Sequence, residues 1–127
     1  AIKTTLRGLR EFYPQRRIVV DFMSHTYSRT AALFEGFVSA FGDADQLVLH
    51  DIYASARERS GGITGEELYR RTAESHRAVR YYPQPADALD ELDSFLRPGD
   101  LFISMGAGNN WQIGQGLLRR LSREDTE

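Results

Sequence analysis

The chain has 127 residues, which fits one domain, and its 16 basic and 18 acidic side chains give a net charge of −2. This balance argues against binding driven by general attraction to nucleic acid or to an anionic membrane, and no apolar run approaches the ~20 residues needed to cross a bilayer. The absence of cysteine excludes disulfides, thiolate metal sites and a cysteine nucleophile. Lys3 is the only lysine and follows no glycine-rich loop, so the phosphate-binding P-loop motif is missing.

The first third of the chain alternates between helical and strand patterns. Apolar residues at helical spacing predict an amphipathic helix over residues 2–13, which Pro14 ends. The apolar run 18–23 predicts a strand. A wide apolar stripe then predicts a helix that begins near Arg29 and ends at Gly42.

The same alternation continues to the carboxyl end. Strands are predicted at 47–49, 78–82 and 101–105, and helices at 64–75, 89–96 and 113–121, with a frayed polar tail from residue 122. Thr64 and Glu67 have the spacing of a capping box, which marks the start of a helix. This order predicts an α/β fold, a Rossmann-like three-layer domain with a mainly parallel sheet and helices on both faces.

Three predicted loops follow strands and should therefore meet at one edge of the sheet. They are residues 24–30, 51–62 and 106–110. Open α/β sheets bind their ligands at the carboxyl ends of the strands. We therefore expect any functional site to lie at this edge.

The first of these loops carries the densest group of polar side chains. His25 and Tyr27 offer hydrogen-bond donors and acceptors, and the Arg29 guanidinium suits a carboxylate or phosphate near the start of a helix. The segment therefore predicts an anion-binding cluster. The alternative is that Ser28 or Thr30 only caps the helix. The three histidines lack metal-ligand spacing, so no metal site is predicted.

The other two loops each allow a functional and a structural interpretation. Asp51 could hold an ammonium group or a metal-bound water, but pairing with a loop arginine is favoured slightly. Gly106 and Gly108, with Asn109 following, resemble half of a dinucleotide-binding motif, although a tight structural turn is favoured.

Several of these segments, taken in order, resemble the C-terminal domain of the Mur ligase family, and within it the ligases that join L-alanine to UDP-N-acetylmuramate. The resemblance spans nearly the whole chain and rests on the segments 2–5, 25–30, 51–54, 56–58 with Gly62, 97–100 and 105–108.

The resemblance implies a cytoplasmic, three-domain, ATP-dependent ligase of peptidoglycan biosynthesis, and hence of cell-wall formation, cell shape and cell division. In such enzymes ATP phosphorylates the muramoyl carboxylate, and the amine of L-alanine attacks the acyl phosphate. The central domain would hold ATP and Mg, and the N-terminal domain would hold the UDP group. Residues 1–127 would form the C-terminal domain, inactive alone and without a cofactor of its own.

The resemblance also implies roles for particular residues. Arg29 would bind the amino-acid end of the substrate, His25 and Thr26 would line the same pocket, and Tyr27 would support the loop. Residues at the edge of the site would be Asp51, Tyr53, Arg57, Gly106, Gly108 and Asn109. The alternative that the residues leave open is a free-standing, flavodoxin-like binding or regulatory module without catalysis.

Overall fold

The computed structural model describes residues 2–24, 34–52, 64–106 and 108–126, and the side chains as far as residue 120. Helices and strands alternate through these residues in the predicted order. They are α1 (Ile2–Phe12), β1 (Ile18–Met23), α2 (Phe34–Ser39), β2 (Gln46–Leu49), α3 (Gly65–Ala73), β3 (Val79–Tyr81), α4 (Pro85–Phe95), β4 (Leu101–Gly106) and α5 (Trp111–Thr126).

The four described strands form one parallel sheet in the order β3-β2-β1-β4. The register pairs Phe22 with Leu49 on one side and Met23 with Gly106 on the other, so the carboxyl ends of β1, β2 and β4 lie level. Successive strands run outward from β1 to β3, and the chain then crosses back to place β4 beside β1. The strand order therefore reverses between β1 and β4, the position where α/β sheets form a ligand crevice.

Two apolar clusters cover the two faces of the sheet. All six residues of β1 are buried, and because side chains alternate along a strand, Ile18, Val20 and Phe22 face one cluster while Val19 faces the other. The first cluster includes Leu6 of α1, Val38 of α2 and Leu68 of α3; the second includes Ala88 and Leu92 of α4 and Ile113 and Leu117 of α5. The α/β three-layer prediction is therefore confirmed.

Local sequence signals explain where several helices begin. The backbone N–H of Glu67 donates to the Thr64 side chain at 3.0 Å, so Thr64 caps α3 as predicted. Pro85 occupies the first turn of α4, where its missing N–H costs nothing.

Two predicted helix ends were wrong. α2 ends at Ser39, and Gly42 lies in the following turn without the positive φ of a glycine cap. The polar tail is helical as far as Thr126 rather than frayed, since no glycine or proline after Gly116 interrupts α5.

An ion pair fixes the opposite end of the sheet. The Arg17 Nη2 atom donates to Asp100 Oδ2 at 2.6 Å and to the Phe95 carbonyl at 3.0 Å. Burial by itself raises the pKa of Asp100, but hydrogen bonds from Arg17 and from the Arg97 N–H outweigh it, so the pKa is lowered. The pair holds the start of β1 beside the loop that precedes β4.

Candidate functional site

The carboxyl-end edge of the sheet contains each predicted site residue that the structure describes. Asp51 follows β2, and Gly106 ends β4, with Gly108 and Asn109 just after it. Because β1 lies between β2 and β4, Asp51 and Gly106 are separated by two strand spacings, about 10 Å. The predicted residues His25, Thr26, Tyr27, Arg29, Tyr53 and Arg57 lie outside the described residues.

Asp51 has a tyrosine partner. The Tyr81 hydroxyl donates to Asp51 Oδ1, and the Asp51 N–H donates to the Pro83 carbonyl at 3.0 Å. Burial, followed by this hydrogen bond and by the negative charge of Asp51, raises the pKa of Tyr81 above its ordinary value. Within the described part of the chain, Asp51 therefore ties the end of β2 to β3. Arg57 and Arg59, the loop arginines with which a pairing is favoured, lie outside the described residues, so that pairing stays a prediction.

The turn after β4 has a structural reason for its first glycine. Gly106 has a φ of +102°, and a Cβ atom there would lie 2.0 Å from the Met23 carbonyl oxygen. Both the backbone conformation and the close approach require glycine. The turn therefore packs directly against the end of β1, after which the predicted loop 24–30 begins.

Helix α3 approaches the same edge just as closely. A Cβ atom on Gly65 would lie 2.4 Å from the His50 carbonyl oxygen and 2.7 Å from the Asp51 Cα. The first residue of α3 therefore packs on the backbone that follows β2. This contact fixes where the helix starts relative to the sheet.

The functional prediction missed a buried polar cluster beneath this edge. It is formed by Asp21, His50, Ser104 and Asn110, and we call it the Asp21 hub. The exposed fractions of Asp21, His50 and Asn110 are 0%, 2% and 3%. Its centre is Asp21 in β1, a carboxylate inside the apolar run that predicted the strand. A buried carboxylate needs partners, so its presence in that run was the available signal.

The hub joins the described strands to one another and to α5. Asp21 Oδ1 contacts His50 Nε2, while Oδ2 accepts from Asn110 Nδ2 at 3.0 Å and from Ser104 Oγ at 3.2 Å. The Asn110 amide also donates to the Met105 carbonyl at 3.0 Å, and His50 Nδ1 lies 2.7 Å from the Tyr82 carbonyl oxygen. One carboxylate thus links β1, β4, the start of α5 and the residues just after β2 and β3.

Neither a P-loop lysine nor a cluster of potential metal ligands occurs among the described residues. Lys3, the only lysine, is exposed on α1, far in sequence from any strand end. Among the described residues no three histidine, aspartate or glutamate side chains lie close enough to hold a metal ion. In the same residues, no helix has the length and apolar character needed to cross a bilayer.

A parallel sheet whose strand order reverses beside a polar edge is typical of ligand-binding α/β domains. The family model described as "Mur ligase, glutamate ligase domain" matches residues 1–108. The chain belongs to the Mur ligase family, as its sequence predicts.

Relatives and a solved structure agree with this assignment. UDP-N-acetylmuramate–L-alanine ligases from Treponema pallidum and Trichlorobacter lovleyi are 53% and 44% identical over 98% and 94% of this chain. The crystal structure of the UDP-N-acetylmuramate-alanine ligase from Thermotoga maritima covers 98% of this chain with a TM-score of 0.59 at 18% identity, which supports the fold. The chain spans 26% of those two relatives and 24% of the solved chain, about a quarter of their length.

Proposed function

We propose that this chain is the C-terminal domain of a three-domain, ATP-dependent ligase that joins L-alanine to UDP-N-acetylmuramate in peptidoglycan biosynthesis. The observation that carries the proposal is the 53% identity with the Treponema pallidum ligase over 98% of the chain. The chain is also 44% identical to the corresponding ligase of a second genus, so the proposal does not depend on similarity to a single protein. We place the activity in the cytoplasm.

The domain's part in the reaction is to bind the amino-acid end of the substrates and to close over the other domains. Arg29, with His25, Thr26 and Tyr27 around it, would pair with the carboxylate of the incoming amino acid. These residues follow β1 at the reversal of strand order, where ligand contacts are expected. Asp51, Gly106, Gly108 and Asn109, together with Tyr53 and Arg57, would border the same site.

ATP and Mg would be bound mainly by the central domain, and the UDP group by the N-terminal domain. The absence of a P-loop lysine motif from the sequence supports this division of roles. We therefore expect the isolated domain to hydrolyse no ATP, and its partners to be the other two domains, UDP-N-acetylmuramate and L-alanine. No nucleic acid or membrane partner is proposed.

Replacement of Arg29 in the full-length protein tests this assignment. Release of phosphate that depends on both L-alanine and UDP-N-acetylmuramate should be measured for the wild type, Arg29→Ala and the control Arg7→Ala. Arg7 is an exposed α1 residue whose ion-pair partner, Glu11, lies on the same helix. Loss of a charge-assisted hydrogen bond should raise the KM for L-alanine by roughly tenfold or more, or lower kcat comparably, in Arg29→Ala alone.

Two results would count against the proposal. Wild-type protein that releases no phosphate when L-alanine is added would exclude the ligase and favour the free-standing module. Unchanged kinetics in folded Arg29→Ala protein would remove Arg29 from the site while leaving the activity in place.

A further inference from the structure

The Asp21 hub lies at the strand ends from which the three predicted site loops continue. Asp21 is two residues before the end of β1, and the predicted loop 24–30 follows that strand directly. Asn110 belongs to the turn after β4, and His50 directly precedes Asp51. Each of the three strand ends that carry predicted site residues is therefore attached to one carboxylate.

The hub contacts allow the hydrogen atoms to be assigned. His50 Nδ1 faces the Tyr82 carbonyl oxygen at 2.7 Å, and since a carbonyl only accepts, Nδ1 carries a hydrogen. His50 Nε2 then contacts Asp21 Oδ1, and this contact needs one hydrogen between the two atoms. Whichever atom holds that hydrogen, the Asp21–His50 pair has no net charge.

Asp21 Oδ2 acts only as an acceptor in this arrangement. It receives hydrogen bonds from Ser104 and Asn110 at 3.2 and 3.0 Å. An asparagine at position 21 could reproduce the whole pattern, because its amide N–H would donate to Nε2 of a neutral His50 and its oxygen would accept from Ser104 and Asn110. A leucine of similar size would leave all three partners without their acceptor or donor.

Close packing couples the hub to the ends of β1, β2 and β4. Gly106 approaches the Met23 carbonyl, and Gly65 approaches the His50 carbonyl, so closely that neither could carry a Cβ atom. A shift of β1 relative to β2 or β4 would therefore displace the root of the first loop and the turn after β4 together. Interiors packed this tightly pass on small displacements rather than absorb them.

We propose that Asp21 is a positioning residue for the amino-acid site, acting through His50 and Asn110 on the strand ends from which the predicted substrate-binding segments continue. This inference rests on the proposed function, since it assigns the effect to the KM for L-alanine. The hydrogen bonds of Asp21, rather than its charge, keep the KM for L-alanine low.

The test compares Asp21→Leu, Asp21→Asn and Leu92→Ala in the full-length protein. Leu92 is 2% exposed and packs in the apolar cluster that contains Val19, and its side chain makes no hydrogen bond, so its truncation lowers stability while every hydrogen bond of the hub keeps both partners. We expect Asp21→Leu to raise the KM for L-alanine at least fivefold, with the KM values for ATP and UDP-N-acetylmuramate within twofold of the wild type. Asp21→Asn should restore the KM for L-alanine to within twofold, and Leu92→Ala should lower Tm with every KM unchanged.

A lower Tm in Asp21→Leu with an unchanged KM for L-alanine would overturn the proposal. A KM for L-alanine in Asp21→Asn that is raised as much as in Asp21→Leu would overturn it too. If Asp21→Leu does not fold, Asn110→Ala provides the same test, because it removes one donor and leaves the Asp21–His50 contact in place.

Amide hydrogen exchange separates this proposal from the assignment of the ligase reaction. In Asp21→Leu, or in Asn110→Ala, amide hydrogen exchange should accelerate at Ser24 and Gly106 and remain unchanged in α1. This result would support positioning even if the wild type showed no L-alanine-dependent activity. Exchange that accelerates equally throughout the domain would contradict it.

Discussion

Substitution of the glycine that ends β4 should destabilise the domain through two separable effects. Gly106→Ala places a side chain at a φ of +102°, which costs about 1–2 kcal/mol for a residue that is not glycine. It also places a Cβ atom 2.0 Å from the Met23 carbonyl oxygen, and the backbone shift needed to relieve such overpacking costs a further ~1–3 kcal/mol. The free energy of unfolding should therefore fall by roughly 2–5 kcal/mol.

Gly99→Ala isolates the first effect, because Gly99 has a φ of +91° but nothing within 4 Å of the added Cβ atom. Equilibrium urea unfolding of the wild type and both variants, followed by circular dichroism, gives the free energy of unfolding of each. The values can be compared directly if the dependence on urea concentration, the slope m, is the same for all three proteins. We expect Gly106→Ala to be less stable than Gly99→Ala by at least about 1 kcal/mol, the lower end of the overpacking cost. Equal destabilisation of the two variants would refute the close approach of the β4 turn to β1.

Three further changes test individual contacts. Thr64→Ala should destabilise the chain by about 1 kcal/mol in urea unfolding because α3 loses its cap, whereas Thr64→Ser should not. The raised pKa of Tyr81 predicts stability that is fully present below pH 10 and is lost as the pH rises beyond it. Thermal unfolding of Tyr81→Phe, which cannot donate to Asp51, should show a weaker decline there; an identical decline would contradict the assignment. The lowered pKa of Asp100 predicts a pH dependence of the opposite sign: its contribution to stability is present above pH 3.8 and is lost as the pH falls further. Asp100→Asn cannot form the ion pair with Arg17, so its free energy of unfolding, measured by urea unfolding at several pH values, should fall less steeply in acid.

The order of helices and strands could be predicted because it depends on local patterns. Apolar spacing changes from helical in α1 to continuous in β1, and Thr64 and Pro85 mark helix starts by chemistry that needs no distant partner. The end of α2 could not be predicted from Gly42, since a glycine near a helix end need not adopt positive φ.

The edge of the sheet could be predicted as the site's location, but its supporting contacts could not. Asp21 belongs to the apolar run that predicts β1, and a carboxylate in a buried strand indicates only that some partner must exist, not which one. Its partners lie 29, 83 and 89 residues away along the chain, and they meet only because β1 lies between β2 and β4. That strand order was not contained in any local pattern. The loop residues His25 and Arg29 stay predictions, because they lie outside the described residues.

The distance in sequence between Asp21 and Asn110 has a consequence for synthesis on the ribosome. Asp21 leaves the ribosome 89 residues before the amide that completes its hydrogen bonds. At translation rates of ~5–20 residues per second, this interval lasts about 4–18 s. Until Asn110 is made, burial of β1 would leave the Asp21 carboxylate without its full set of hydrogen bonds, which disfavours stable packing around this strand in the unfinished chain.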